Sequence, residues 1–130
     1  RPSSILVDDN LNLYIADMDN NRVMRYAANA SIGTLVISGS IDKPYSIAFR
    51  TSIPNQLFIS AMGMRQLELW TQNTSTRMFC NGTWVSKTVV GSSLGATPFL
   101  SETHGIAFDA DLNLYVTSKS PTGVYKYMRI

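Results

Sequence analysis

The residue best suited to chemistry in this sequence is His104, the only histidine of the 130-residue chain. An imidazole titrates near neutral pH, so His104 could act as a general acid or base. A zinc site needs three or four His, Cys or acidic ligands, and the sequence places no such companions beside His104. His104 is therefore expected either to be an ordinary loop residue or to belong to a site that other residues complete. No metal or other cofactor is predicted.

Acidic side chains recur at matching places in the chain. Asp8 and Asp109 each follow a short apolar run. A carboxylate at such a place can shape the turn after a strand or, with added oxygen ligands, bind calcium. Of these two interpretations, the turn is favoured. Asp17 and Arg22 flank Asp19–Asn21 and are expected to form a further turn with an internal charge pair.

These residues lie within a block that the chain repeats three times. Each copy pairs two apolar triplets, which are Ile5–Val7 with Leu13–Ile15, Ile47–Phe49 with Leu57–Ile59, and Ile106–Phe108 with Leu114–Val116. An aromatic-ended run completes each copy, at Val23–Tyr26, Leu67–Trp70 and Val124–Tyr127. Self-similarity at a period of about 20–50 residues is typical of stacked units that cannot bury their apolar faces alone.

The signals inside each unit are all those of β-strands. The runs are short, β-branched and aromatic, and turn-forming residues separate them. Leu13 and Ile15 point to one face of their strand and Tyr14 to the other, so both faces are apolar and covered sheets are expected. Outer strands are predicted at Thr34–Ile37 and Lys87–Val90. Four short strands per unit predict an all-β fold, a β-propeller, with blades at about 2–40, 44–91 and 103–130. The last blade lacks its outer strand.

The first unit resembles the NHL repeat, whose pattern is an apolar strand ending in Asp, a turn, a Tyr-containing strand ending in Ala-Asp, and Asn-x-Arg-Ile/Val. The matching segments are Ile5–Asp8, Leu13–Asp17 and Asn20–Val23 in unit one, Pro44–Phe49 in unit two, and His104–Asp109 with Leu114–Val116 in unit three. Units two and three depart from the pattern at Ser60–Arg65 and Ser118–Gly123. The resemblance implies a propeller. NHL propellers are mostly platforms for proteins or RNA, whereas related six-bladed propellers include lyases and lactonases, so the family fixes no activity.

The length allows only part of a propeller. Three blades are about half of a closed ring, because propellers contain roughly 4–8 blades. The favoured interpretation is an excerpt of a longer protein that supplies the remaining blades. In the other, two copies form a homodimer that completes a six-bladed ring, since an open arc would expose apolar faces and sheet edges.

The composition is that of a folded domain. It is 45% apolar and 15% charged, with a formal net charge of +2 and scattered arginines. The composition therefore argues against nucleic acid as a partner, because nucleic acid favours clustered positive charge. No apolar run reaches the length of a membrane span, and no signal peptide is visible. The lone Cys80 excludes an internal disulfide and has no neighbouring base that would make it a nucleophile.

Three N-x-Ser/Thr sequons, at Asn29, Asn73 and Asn81, are candidate glycosylation sites. All three fall between the third and fourth strands of a blade, so they are expected on one face of the ring. Their use would require an extracellular or secreted location, which is predicted on this basis. Glycans there would leave the opposite face free.

The opposite face carries the candidate binding residues. The loops entering the inner strands and those joining second to third strands place Tyr45, His104, Arg65 and Lys119 there. A non-catalytic platform for a protein, peptide or glycan is the favoured function, because Ser3, Tyr45 and His104 are varied rather than repeatedly acidic or basic. The alternative is part of a propeller hydrolase or lyase with its active site at the channel mouth, including His104.

Overall fold

The computed structural model describes residues 1–50, 55–72, 84–91, 100 and 102–128, which form three antiparallel sheets. Blade 1 consists of β1 (Pro2–Val7), β2 (Leu13–Asp17), β3 (Arg22–Tyr26) and β4 (Thr34–Ser38). Blade 2 consists of β5 (Pro44–Phe49), β6 (Gln56–Ala61), β7 (Gln66–Gln72) and β8 (Trp84–Gly91). Blade 3 consists of β9 (Thr103–Phe108), β10 (Leu114–Lys119) and β11 (Thr122–Tyr127). The predicted all-β fold is confirmed, and each predicted strand lies within an observed one.

The strands of each blade follow one another in chain order, from an inner strand outward. The inner strands β1, β5 and β9 contact one another in that sequence, so the blades are arranged side by side around a common inner edge. The helical content of the described residues is a single 3-10 turn, Met18–Asn20. No helix in this part of the chain is long and apolar enough to cross a membrane.

The core of the protein lies between neighbouring blades. The cluster between blades 1 and 2 is built from Tyr14, Ala16, Val23, Ile37, Ile41, Ile47, Leu57, Ile59, Ala61 and Trp70. The cluster between blades 2 and 3 is built from Phe58, Leu67, Val90, Leu100, Leu114 and Val116. Because Leu57 and Ile59 point toward blade 1 while Phe58 points toward blade 3, both faces of β6 are buried, as the alternation of side chains along a strand requires.

An aromatic contact repeats at both blade interfaces. The Tyr14 ring of blade 1 meets the Phe49 ring of blade 2 edge-on, with centroids 5.0 Å apart. The Phe58 ring of blade 2 meets the Phe108 ring of blade 3 in the same way, at 4.8 Å. Edge-to-face pairs at this separation are favourable beyond the area they bury. These ring pairs join β2 to β5 and β6 to β9, so the second strand of one blade packs on the inner strand of the following blade.

One buried carboxylate stands at the interface between blades 1 and 2. Glu68 accepts hydrogen bonds of 2.8 Å from Gln66 Nε2 and from Trp70 Nε1, its neighbours two positions away on the same face of β7. Both of its oxygens are therefore satisfied, as a buried carboxylate requires. The three side chains form a structural polar chain within the core.

The outer faces of blades 1 and 3 are exposed, which differs from the expectation drawn from the sequence. Both faces of every sheet were expected to be packed, but in the described residues this holds for blade 2 alone. On blade 1, Ile5 and Val7 of β1 remain 68% and 54% exposed, and on blade 3 Val124 of β11 remains 68% exposed. The reason is geometric, because among the described residues the sheets of blades 1 and 3 each pack against one neighbouring blade.

Asp8 and Asp109 shape the β1–β2 and β9–β10 turns. Asp8 Oδ1 accepts hydrogen bonds from the backbone N–H groups of Asn10 (3.0 Å) and Asn12 (2.8 Å), and Asp109 Oδ1 makes the equivalent bonds in blade 3. In both turns a leucine adopts the left-handed conformation, with φ of 61° at Leu11 and 65° at Leu112. The carboxylates therefore hold the turns, which is the favoured sequence interpretation.

These turns predict a loss of stability in acid. Burial opposes ionisation of Asp8, but the hydrogen bonds from Asn12 and Asn10 outweigh it and lower the pKa of Asp8. Hydrogen bonds from Asn113 likewise lower the pKa of Asp109. The ionised carboxylates of Asp8 and Asp109 therefore contribute fully to the folding stability above the ordinary carboxyl pKa of about 3.9. This stability is lost as the pH falls through their lower folded-state pKa values.

The urea midpoint should stay level from neutral pH to about pH 5 and fall below about pH 4. The Asp8→Asn variant keeps an acceptor oxygen for the turn but has no ionisable group, so its midpoint should fall less in acid. Asp9→Asn is the matched control, because Asp9 is exposed beside the same turn. Identical acid profiles for Asp8→Asn and the unaltered chain would contradict the prediction.

Candidate functional site

The inner strand of every blade bulges at the same place. One residue has no cross-strand partner in two of them, Ser3 in β1 and Tyr45 in β5. In β9, His104 and Gly105 together face Thr117 of β10. A bulge bends its strand and re-aims a side chain, and bulges are frequent beside functional sites. The three equivalent positions identified in the sequence, Ser3, Tyr45 and His104, therefore coincide with the β-bulges of the inner strands.

The structure brings Tyr45 and His104 together. Their rings stack with centroids 4.6 Å apart and an angle of 18° between the ring planes. The two residues occupy equivalent positions in neighbouring blades, so the contact bridges blades 2 and 3. Both are half-buried, which leaves part of each ring accessible at the strand-entry end of the arc.

Serine hydroxyls hold the backbone beneath these rings. Ser60 Oγ donates a 2.6 Å hydrogen bond to the carbonyl oxygen of His104 and accepts one of 3.0 Å from the backbone N–H of Ser46. Ser46 Oγ in turn accepts from the backbone N–H of Ile106 at 3.4 Å. The bonds to the His104 carbonyl and from the Ile106 N–H cross the boundary between blades 2 and 3, whereas the Ser46–Ser60 bond lies within blade 2; together they fix the position of His104 relative to Tyr45.

The same arrangement begins at the preceding boundary. Ser3 Oγ donates to the carbonyl oxygen of Pro44 at 2.9 Å, and Ser4 Oγ accepts from the backbone N–H of Ile47 at 3.3 Å. Ser4 and Ser46 stand at equivalent positions, and in both cases the hydroxyl receives the N–H of the next inner strand. The inner edges of all three blades are therefore tied together at this end.

The two cationic candidates lie apart from the ring pair. Lys119 Nζ forms an ion pair with Glu102 Oε2 at 3.2 Å, between two exposed side chains. Arg65 is exposed and adopts a left-handed backbone conformation with φ of 55° in the β6–β7 turn. Within the part of the chain that the structure describes, no hydrogen bond or ring contact joins Arg65 or Lys119 to Tyr45 or His104. Their role in binding stays a prediction.

The Asp17 turn forms the expected charge pair. Asp17 Oδ2 accepts hydrogen bonds of 2.8 Å from Asn20 Nδ2 and from Arg22 Nε. These bonds, the one from Asn20 first, lower the pKa of Asp17. Asn21 Oδ1 accepts from the backbone N–H of Lys43 at 2.9 Å and so links the turn to the entry of blade 2. The turn is thus a structural support beside the candidate face.

The sequons are only partly described. Asn29 is exposed in the β3–β4 loop and adopts a left-handed conformation with φ of 63°. Since antiparallel strands alternate in direction, this loop lies at the opposite end of the sheet from Tyr45 and His104. Asn73 and Asn81 lie outside the described residues.

Sequence reasoning did not single out Ser60, Thr117 or Glu102. Thr117 Oγ1 accepts a 2.7 Å hydrogen bond from the backbone N–H of Gly105, so it supports the blade 3 bulge much as Ser60 supports that of blade 2. A detectable signal was present, because Ser60 of β6 and Thr117 of β10 are equivalent hydroxyl residues, although β2 has Ala16 at this position. Among the described residues, no group of three or more His, Cys, Asp or Glu side chains could hold a metal ion.

Solved structures similar to this chain are propeller-like proteins. A protein assigned as a gluconolactonase has a TM-score of 0.66 and 18% identity, covering 90% of this chain and 41% of that one. Virginiamycin B lyase from Staphylococcus aureus has a TM-score of 0.64 and 11% identity, covering 98% of this chain and 41% of the lyase. A chain of the nidogen/laminin complex has a TM-score of 0.62 and 14% identity, covering 96% and 47%.

These likenesses define the fold as that of a β-propeller. The chain contributes three blades to it, spans less than half the length of these structures, and does not close a ring over its described residues. No known protein-family model matches the sequence, and no curated protein matches it. At identities below 20%, two enzymes and one complex-forming protein share the architecture, so activity has to be argued from the site.

Proposed function

We propose that this chain is part of a non-catalytic binding platform that recognises a protein or peptide through its strand-entry face. The observation that carries the proposal is the stacked Tyr45–His104 pair, which is half-exposed and held in place from below by Ser60. Rigid aromatic side chains offer contact area at a low entropic cost, and tyrosine is enriched at protein interfaces. Arg65 and Lys119 are proposed as peripheral contacts on the same face.

The electrostatic surroundings of His104 also favour binding over catalysis. A general base is usually oriented by a second polar group, as a carboxylate orients histidine in hydrolases. In the described residues the His104 side chain contacts the Tyr45 ring, and no carboxylate is hydrogen-bonded to it. The alternative, a hydrolase or lyase site at the channel mouth, is supported by two of the similar structures, which are named as a lactonase and a lyase.

We also propose that this chain is related to the NHL-repeat propellers. The pattern residues Asp17, Asn20 and Arg22 form one hydrogen-bonded network in blade 1. Such a network gives the Asp and Asn-x-Arg elements of the repeat a shared structural role. Blades 2 and 3 replace these residues, so blade 1 alone carries this support.

A secreted location is proposed from Asn29, whose sequon is exposed in the β3–β4 loop. A glycan there would not obstruct the Tyr45–His104 face, because the two lie at opposite ends of the sheets. Expression through a secretory pathway should add a mass that peptide N-glycosidase removes and that Asn29→Gln reduces by one glycan. An unglycosylated Asn29 in a secreted product would contradict this part of the proposal.

The platform can be tested with a displayed library of random peptides selected on the immobilised chain. Peptides that bind the unaltered chain should lose at least about tenfold in affinity on Tyr45→Ala or His104→Ala, as expected for residues at the centre of an interface. Ile32→Ala is the matched control, since Ile32 is 81% exposed in the β3–β4 loop at the other end of the sheet. Peptides that bind equally to all variants would overturn the proposed face.

The enzymatic alternative needs a separate measurement. The chain would be incubated with a panel of simple lactones, and hydrolysis would be followed by the appearance of the carboxylic acid. Turnover that His104→Ala abolishes would establish the enzyme and contradict the non-catalytic proposal. Absence of turnover together with peptide binding that depends on Tyr45 is the expected result.

A further inference from the structure

The Tyr45–His104 pair has hydrogen-bonding groups available for a ligand. Within the part of the chain that the structure describes, neither the Tyr45 hydroxyl nor the His104 imidazole forms a hydrogen bond, and both rings are half-exposed. A phenol donates one O–H, and an imidazole donates at least one N–H in either protonation state. The strand-entry end therefore presents donors on two neighbouring rings.

The hydroxyl groups beneath the rings are already engaged with the backbone. Ser60 Oγ donates to the carbonyl oxygen of His104 at 2.6 Å, and Ser3 Oγ donates to that of Pro44 at 2.9 Å. Recognition of a ligand therefore depends on the ring donors. A carboxylate matches them, because it accepts hydrogen bonds without offering any and its charge makes those bonds stronger.

Two exposed cations lie at the same end of blade 2. Lys43 comes directly before β5, and Arg65 lies in the β6–β7 turn. Met62 links their backbones, since its N–H donates to the Lys43 carbonyl at 3.0 Å and its carbonyl accepts from the Arg65 N–H at 3.3 Å. The two positive charges are therefore carried by connected turns beside the strand that bears Tyr45.

These two cations are available for an anionic partner. Over the described ranges, no carboxylate lies within ion-pair distance of Lys43 or Arg65. Lys119 differs from them, because its Nζ already pairs with Glu102 Oε2 at 3.2 Å. Among the cations at the strand-entry ends of blades 2 and 3, Lys43 and Arg65 are thus better placed than Lys119 to meet a ligand.

Asp42 is the carboxylate nearest to these cations in the sequence. It is half-buried and lies against Gly63 of the β6–β7 turn, where an added Cβ would overlap the carboxylate. The Gly63 N–H also donates to the Asp42 carbonyl oxygen at 3.2 Å. The negative charge of Asp42 offsets one of the two cations, so these turns together remain positive.

We propose that the strand-entry face of blades 2 and 3 binds an acidic segment of a protein or peptide. One Asp or Glu side chain of the segment accepts hydrogen bonds from Tyr45 Oη and the His104 imidazole, and a neighbouring acidic side chain meets Lys43 and Arg65. This inference rests on the proposed function, because it specifies the ligand of the same face.

The test starts from random displayed peptides selected on the immobilised chain, which should be enriched in Asp and Glu. The selected peptide that binds best is synthesised with an amidated C-terminus, so that its only carboxylates are side chains, and is titrated by fluorescence anisotropy. Replacement of its acidic residues by Asn and Gln should weaken binding at least about tenfold. Binding should also weaken as salt is added, because salt screens exposed charges.

Variants of the chain locate the acidic groups. Tyr45→Phe keeps the ring and removes the donor, so binding should weaken about tenfold. Lys43→Ala and Arg65→Ala should each weaken it about two- to fivefold, the range for exposed ion pairs, and Asp42→Asn should strengthen it by a similar factor. Lys87→Ala is the matched control, because Lys87 is exposed on the outer strand β8. Each variant should keep the far-UV circular dichroism spectrum of the unaltered chain.

The outcomes separate this inference from the proposed function. Peptides that depend on Tyr45 and His104 but show no excess of acidic residues would overturn the acidic ligand and leave the binding platform in place. Losses on Lys87→Ala equal to those on Lys43→Ala and Arg65→Ala would indicate attraction by net charge alone and would also overturn it. If no peptide binds the chain, the platform is wrong and the acidic ligand with it.

Discussion

Alanine in place of Phe58 is expected to lower the free energy of unfolding by about 3–5 kcal/mol, the range for a fully buried aromatic ring. Phe58 is 1% exposed and meets the Phe108 ring of the next blade at 4.8 Å. Its removal leaves a cavity at the boundary between blades 2 and 3 and breaks an edge-to-face pair. Since small domains are stable by about 5–15 kcal/mol, a large part of the total would be lost.

Equilibrium unfolding in urea, followed by tryptophan fluorescence and far-UV circular dichroism, measures this loss. Phe58→Leu is the control, because leucine fills much of the same space and should cost clearly less. Equal losses for the two variants would show that the cavity adds little to the loss of the ring contact, which both variants remove. A small loss for Phe58→Ala itself would contradict the interface between blades 2 and 3 as a main source of stability.

The second large effect is expected from one substitution made at two equivalent positions. Ile47→Ala should cost about 2–5 kcal/mol, whereas Ile5→Ala should change the stability of the arc by no more than about 0.5 kcal/mol. The two isoleucines have the same place in their blades, but Ile47 is 4% exposed and Ile5 is 68% exposed. The difference therefore isolates the contribution of a neighbouring blade.

Both variants are best unfolded in urea at several protein concentrations. A cost for Ile47→Ala that is independent of concentration is the expected result for an interface within one chain. A cost for Ile5→Ala that appears only at high concentration would reveal a second copy on blade 1, by mass action. Equal, concentration-independent costs at both positions would contradict the assignment of Ile5 to an uncovered face.

These two predictions express one property of the architecture. In repeat proteins, stability is close to a sum of intrinsic unit terms and nearest-neighbour interface terms. Over the residues that the structure describes, blade 2 is covered on both faces, whereas blades 1 and 3 each pack against one neighbour. Substitutions at the interfaces of blade 2 should therefore have the largest effects, and equivalent substitutions on the outer faces the smallest.

Much of the fold could be read from local patterns. The triplet Leu57–Ile59 alternates apolar side chains between two faces, and this pattern predicts a strand that is buried on both sides, as β6 is. The turn residues were equally legible, because Asp8 and Asp109 precede an Asn at the same distance and make the same backbone hydrogen bonds. Period, alternation and turn chemistry are properties of a few neighbouring residues, so a single sequence carries them.

For the candidate site, the sequence predicted a set of equivalent positions but not the contacts between their side chains. Counting from the repeats placed Tyr45 and His104 at equivalent points, but nothing local indicates that their rings stack across a blade boundary. The Ser60 hydroxyl that holds the His104 carbonyl is 44 positions away in the chain, and its role depends on a bulge. Arg65 and Lys119 were placed on the same face, yet that placement alone says nothing of a shared ligand.

The sequence by itself determined the all-β class, the three units, the order of their strands and the turns that end them, because these follow from short-range periodicity and backbone preference. Only the tertiary structure decided which apolar faces are covered, that the inner strands bulge at Ser3, Tyr45 and His104, and that two of these side chains meet. Covering and stacking depend on how consecutive blades pack, and the contacts that set that packing join residues about 40–60 positions apart.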